Sequence, residues 1–197
     1  MIMFGTLINS IQKITALPDT DVEKILSALK VRQVKKKKNL LNEGDNANMM
    51  FYVNEGLFRY YIFDQDGNEQ TIDLIAENNW FGDAKAFLAR EEAGINVEAI
   101  EDSQVFILSY EDLNRFYDEI PLFERLVRKI IEHYFVKALE RIKKVNRSSY
   151  PAQERYHEFL RSHPKLVNRV PAIYLSSYLG ITPETLSRLR SQSVKHV

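Results

Sequence analysis

Residues 182–190, Thr-Pro-Glu-Thr-Leu-Ser-Arg-Leu-Arg, place hydroxyls, a carboxylate and two guanidinium groups within a few turns of one short segment. Thr182 reads as a helix N-cap and Pro183 as the first helical residue, where a missing N–H costs nothing. Leu186 and Leu189 then turn inward, leaving Glu184, Thr185, Ser187, Arg188, Arg190 and Ser191 outside. A polar helix face that carries arginine can donate hydrogen bonds to phosphates and to base edges. Just before it, Ile173, Leu175, Tyr178 and Leu179 mark the buried side of another short helix, broken at Gly180. A helix, a tight glycine turn and a second, Arg-bearing helix form a helix-turn-helix, whose second helix enters the major groove of double-stranded DNA. The competing reading is a surface helical hairpin.

Composition narrows the alternatives. The chain has 197 residues, 45% hydrophobic and 27% charged, as in ordinary globular proteins. It has no cysteine, which removes disulfides, zinc–thiolate fingers and iron–sulfur clusters together. Its four histidines, His133, His157, His163 and His196, all follow residue 130, so a metal site in the N-terminal part would need carboxylates alone. No apolar run approaches the ~20 residues of a membrane span and no secretory pattern opens the chain, so the expected address is the cytoplasm, away from membranes. Net charge is zero but uneven. Residues 146–197 carry eight Lys/Arg against three Glu, whereas the first 145 residues carry 19 basic and 24 acidic groups. A basic end on an acidic body suits phosphate binding confined to that end.

These residues need elements to hold them. Residues 4–29 read as helical, with a break at Leu17-Pro18 and Asp19 or Thr20 as the next cap. From Val31 to about Tyr110 short apolar runs alternate with Gly/Asp/Asn turns: Met49–Val53, Leu57–Phe63, Gln70–Ile75, Val97–Ile100 and Val105–Leu108. That pattern predicts an antiparallel sandwich or barrel, with Asp66-Gly67 as a hairpin turn. The lysines at 35–38 read as the solubilising group of an edge or turn. A short helix around Leu113 and Phe116 ends near Pro121. Then Leu122–Val145 reads as one long helix, apolar on more than one side through Phe123, Leu126, Val127, Ile130, Ile131, Tyr134, Phe135, Ala138, Leu139, Ile142 and Val145. Such a helix needs two partners, and a second copy of itself, giving a homodimer through residues 122–145, is the economical second one. A polar hinge, 146–151, leads to a helix from Ala152 to about Ser162, and the last three helices are expected to pack through the hinge and long helix.

In this order of parts the chain resembles the Crp/Fnr family of bacterial transcription regulators over nearly its whole length. Asn42-Glu-Gly through Tyr61 looks like the family's glycine-punctuated hairpin region, with Gly44, Gly56, Gly67 and Gly82 at turns, and Gly180 to Arg188 is close to its recognition-helix signature. The resemblance implies an α+β chain. Residues 1–121 would be a cyclic-nucleotide-binding-like effector domain built as an antiparallel jelly-roll barrel, 122–148 a dimerisation helix and hinge, and 149–197 an all-α helix-turn-helix domain. It puts base-edge contacts on Glu184 and Arg188 and phosphate contacts on Thr182 and Thr185. Arginine can bond guanine bidentately and glutamate can accept from cytosine, in keeping with those roles. RNA polymerase is the further partner it implies, and the chain would be a regulator rather than an enzyme.

Three departures matter. Pro183 stands where cyclic-nucleotide-binding relatives carry a basic residue, so the preferred DNA sequence should differ. The chain ends five residues after Gln192, ahead of the family's β-hairpin wing, as in a short branch of the family or a truncated chain. In the effector pocket Phe81-Gly82-Asp83 begins the family's phosphate-binding cassette, but its Arg-Ser pair aligns with Ala93-Gly94, beside Glu91 and Glu92. With Tyr134 and Lys137 from the long helix, these residues form the expected pocket. A cyclic phosphate needs a cationic or N–H-rich cradle, and only Lys85 or Arg90 could supply the charge, from an unusual angle. No cofactor is therefore expected: cyclic AMP should bind weakly or not at all, and the effector is unknown or nonexistent. Two other readings remain open: a barrel sensor or protein-docking module with a degenerate DNA-binding end, and a cupin-type metal enzyme, which the late histidines disfavour.

Overall fold

The computed structural model describes residues 4–145 and 150–194, with side chains described for 4–140 and 150–192. The expected hinge at 146–149 and the inward side chains of Ile142 and Val145 lie outside the described residues. The chain begins with two helices, α1 (Gly5–Ile14) and α2 (Asp19–Ala28). Neither Asp19 nor Thr20 caps α2: Pro18, extended at φ −55° and ψ 145°, precedes it. Asp19 and Asp21 instead sit in the first turn, where a carboxylate favours the positive helix end.

Eight strands follow: β1 (Lys30–Val34), β2 (Asn39–Leu41), β3 (Met49–Glu55), β4 (Leu57–Phe63), β5 (Glu69–Ala76), β6 (Trp80–Phe81), β7 (Asn96–Ala99) and β8 (Ser103–Ser109). They form two antiparallel sheets, in the orders β1-β8-β3-β6 and β2-β7-β4-β5. That order is a jelly roll. The β4–β5 hairpin turns at Gly67, whose φ of 80° suits a residue without Cβ. The predicted strands are all present, and β1, β2 and β6 are additional. β1 lacks an apolar run because it is a sheet edge with only Val34 buried, and β2 and β6 are very short. The lysine group forms the β1–β2 turn, with Lys35 bonded to Asp102 at 2.8 Å.

Between the sheets Phe51, Val53, Phe58, Phe81, Val97, Ala99, Val105 and Ile107 make one core. Alternate residues face the other way, and each sheet buries its outer face against helices. Tyr52, Phe106 and Leu108 meet α1, α2, α4 (Tyr110–Glu119) and the start of α5 (Phe123–Val145). Along α5, among the described residues, Phe123 and Leu126 are fully buried, with Val127 and Ile130 packed beside them, while Ile131, Phe135, Val136 and Leu139 are exposed.

The second sheet's outer face is covered by the C-terminal helices α6 (Ala152–Ser162), α7 (Ala172–Leu179) and α8 (Pro183–Val194). Leu57, Ile100, Leu74 and Ala76 of the barrel join Tyr156, Phe159, Leu166, Val170, Leu175, Leu179, Leu186 and Leu189 in a third cluster. Among the described residues the C-terminal unit therefore packs on the barrel. About fifty residues bury too little surface alone, and this sheet supplies the missing apolar partner.

Candidate nucleic-acid interface and effector site

At the turn between α7 and α8, Gly180 adopts φ 62° and ψ 42° as the C-cap of α7, and its N–H and that of Ile181 satisfy the last carbonyls of that helix. A Cβ there would stand 3.4 Å from the Arg155 guanidinium. The Thr182 hydroxyl accepts the Thr185 N–H at 3.3 Å, as an N-cap should, and Pro183 opens α8. Leu186 and Leu189 are buried, while Thr182, Pro183, Glu184, Ser187 and Arg188 are exposed and Thr185 is half-buried. Glu184 is held below the ordinary carboxylate range by its own backbone N–H and by Thr182, so it faces outward as an anion.

Two assignments need correction. Arg190 does not point outward: it is half-buried and its guanidinium donates to the Val167 carbonyl at 3.3 Å. Four residues from Leu186, it lies on the inward side of the helix. Ile173 is 65% exposed, because the buried stripe of α7 runs through Leu175, Ser176 and Leu179.

The pocket expected under the barrel cassette is made differently. Asp83 caps α3 (Ala84–Ala89), accepting the Ala86 N–H at 3.0 Å on one oxygen and the Gly94 N–H at 2.9 Å on the other. Ala93 is buried, its N–H donating to the Asp45 carbonyl at 2.8 Å. Gly82, at φ 139°, passes so close to Met50 that a Cβ would lie 3.1 Å from its sulfur. The Tyr60 hydroxyl accepts the Gly82 N–H and donates to the Gly82 carbonyl, at 2.7 and 3.0 Å. Phe81 packs against Phe58 and Phe51, with ring centroids 4.8 and 5.4 Å away. The two nearby cations are engaged elsewhere: the Arg90 guanidinium lies 4.4 Å from the Tyr110 ring centre, and Lys85 pairs with Glu91 at 3.2 Å.

Tyr134 and Lys137 bond to the residues just ahead of this cassette. The Tyr134 hydroxyl accepts the Trp80 N–H at 2.8 Å, and Lys137 reaches Asn79 at 3.4 Å. Burial pushes the Tyr134 phenol up to about 12, so it stays neutral and bridges α5 to the turn before β6.

A polar cluster that the sequence reading missed lies where α7 meets the barrel. Arg59 of β4, its side chain 2% exposed, donates through Nε to Glu98 at 3.0 Å and through a terminal nitrogen to both Glu98 and Glu69. Its guanidinium lies between two rings, 3.8 Å from the centre of Tyr174 and 4.3 Å from Tyr61. The Tyr174 hydroxyl donates to the other Glu98 oxygen at 3.1 Å. One signal was available: Arg59 and Glu98 are lone charges inside otherwise apolar strands, paired directly across the ladder. Nearby, Arg169 bonds Glu77 at 2.6 and 3.0 Å and also Glu101.

Comparison with known proteins places this arrangement. Residues 31–119 match the cyclic nucleotide-binding domain family. The structure of CLP from Xanthomonas campestris, described as a c-di-GMP responsive global regulator, superposes with a TM-score of 0.73 at 16% identity, covering 91% of this chain and 93% of that one. FixK2 from Bradyrhizobium japonicum gives 0.69 at 19% identity, with 85% of each chain covered. The fold of the chain is the one these two structures share. Thermus thermophilus catabolite activator protein also shares it, at a TM-score of 0.58 and 19% identity over 95% of this chain and 87% of its own. In sequence, the cAMP-activated global transcriptional regulator CRP of Pasteurella multocida is 21% identical over 103 residues, 52% of this chain. The chain spans about half the length of that curated relative, 49%. Among the described residues no helix is long and apolar enough to cross a membrane, and no group of three or more His, Asp or Glu is placed to hold a metal ion.

Proposed function

We propose that the protein is a homodimeric, sequence-specific DNA-binding transcription regulator, with the helix-turn-helix formed by α7 and α8. The observation that carries this reading is α8 itself: Leu186 and Leu189 root it while Glu184, Ser187 and Arg188 stand clear in solvent. Arg188 and Glu184 would read base edges, and Thr182 and Thr185 would meet phosphate. Dimerisation is supported by α5, where Ile131, Phe135 and Leu139, four residues apart, share one exposed helix face. Two copies would engage half-sites about one helical turn, ~34 Å, apart. RNA polymerase would be the downstream partner.

Cyclic AMP does not fit the cassette. The Ala86 and Gly94 N–H groups already serve the Asp83 carboxylate, and a second anion there would meet its charge. Any effector is therefore of another chemical kind, or the regulator acts without one. Electrophoretic shift with fragments selected from random DNA tests the proposal. Glu184→Ala should change preference more than affinity, and Thr185→Ala should weaken all sequences alike. Titration calorimetry with cyclic AMP should show no saturable heat. A chain that binds no duplex more tightly than nonspecific DNA would refute the reading.

A further inference from the structure

The face that binds the C-terminal unit to the barrel is polar at its centre, which is unusual for a surface that closes a hydrophobic core. Arg59 is a charge on the outer face of a sheet, and it is buried because α7 lies on it. Glu98, directly across the ladder and 9% exposed, divides its oxygens between the two units: one takes the Arg59 guanidinium, the other the Tyr174 hydroxyl. Beside this pair the Ser177 hydroxyl of α7 accepts the Thr71 N–H of β5 at 2.9 Å. At the far edge, Arg169 reaches Glu77 and Glu101. Every one of these contacts is directional, so together they set the angle of α7 on the sheet as well as its attachment. Because Leu175, Leu179, Leu186 and Leu189 share one cluster, α8 turns with α7. In this docked position the outer face of α8 remains exposed at Glu184, Ser187 and Arg188.

We infer that Arg59, Glu98 and Tyr174 are positioning residues for DNA recognition: they form a clasp that aims α8 with its reading face open. The inference rests on the DNA-binding proposal. A clasp that left this face covered would be inhibitory. One that leaves it open prepays the orientation that binding would otherwise cost. Loosening it lowers the fraction of correctly aimed units, and apparent affinity falls in proportion.

The test uses the full chain, whose lack of cysteine lets spin labels be placed at two introduced cysteines. Leu88 and Gln192 are exposed sites on the barrel and on α8. With labelled protein diluted into unlabelled protein, the distance distribution between them should be narrow, and it should broaden in Tyr174→Ala. Affinity for sequences selected by the unaltered protein should fall about fivefold or more, as expected if only about one unit in five stays aimed. The slope of affinity against salt should hold, because the phosphate contacts themselves are untouched. Tyr174→Phe keeps the ring over Arg59 and should restore both readouts to within about twofold. A broadened distribution with unchanged or higher affinity would overturn the inference, and so would an unbroadened one. If the unaltered protein selects no DNA, the regulator reading fails, and the label distances still decide whether Tyr174 holds the two units together.

Discussion

Replacing Arg59 with methionine measures how much the buried charge cluster matters to folding. The two carboxylates it pairs with differ sharply in surroundings: the Glu69 side chain is 44% exposed and that of Glu98 only 9%. In Arg59→Met, Glu69 stays solvated and costs little, within the 0–1 kcal/mol typical of exposed pairs. Glu98 keeps the Tyr174 hydroxyl alone and becomes a buried, uncompensated anion. Breaking a buried pair from one side in this way costs about 3–5 kcal/mol, a large part of the 5–15 kcal/mol that usually holds a domain together. The double substitution Arg59→Met with Glu98→Leu removes both charges and should return stability to within about 1 kcal/mol of the starting protein, because replacing the whole pair by apolar groups is often neutral. Urea unfolding followed by fluorescence of Trp80, the chain's one tryptophan, reports the barrel directly. A single mutant that loses less than about 1 kcal/mol, or a double mutant as unstable as the single, would refute the reasoning.

Other consequences follow from individual contacts. Phe135→Asp puts a charge on the uncovered face of α5, where Phe135 is 62% exposed, and should convert dimer to monomer in light scattering with little change in melting temperature. Gly82→Ala forces a side chain into φ 139° and toward Met50, and should cost about 1–3 kcal/mol in urea unfolding. Burial pushes the Glu77 carboxyl up, yet the Arg169 guanidinium and the N–H groups of Glu77 and Gly56 outweigh that and hold it below the ordinary range. Its stabilising contribution is thus complete above the ordinary glutamate range and is lost as pH falls through the depressed value. The urea midpoint of the unaltered protein should drop more steeply with acid than that of Arg169→Gln.

Much of this fold was legible because local signals agreed with tertiary ones. The helix expected from Ala152 to about Ser162 is α6, since a proline precedes it and His163-Pro164 ends it. β4 was equally clear, between glycine and aspartate turns. The reading failed where a distant partner decides. Beyond its being a lone charge in an apolar strand, nothing local says that Arg59 is buried, since alternation puts it on the outer face of its sheet and the docking of α7 takes it from water. Arg190 failed for a related reason: helical spacing puts it on the Leu186 side, but its charge argued for solvent until the Val167 carbonyl supplied a partner. The cassette was half legible. The absence of an arginine at Ala93 was plain, whereas the use of Asp83 to hold the Gly94 N–H depends on loop geometry.

The proposed regulator requires that the open face of α8 reads DNA. The most direct measurement is selection of bound duplexes from random sequence by the full chain, run in parallel with Arg188→Ala. The expected result is enrichment of two symmetric half-sites with centres ~34 Å apart, and loss of the base preference at the position Arg188 reads. An unenriched pool, or an identical motif bound equally well by Arg188→Ala, would contradict it.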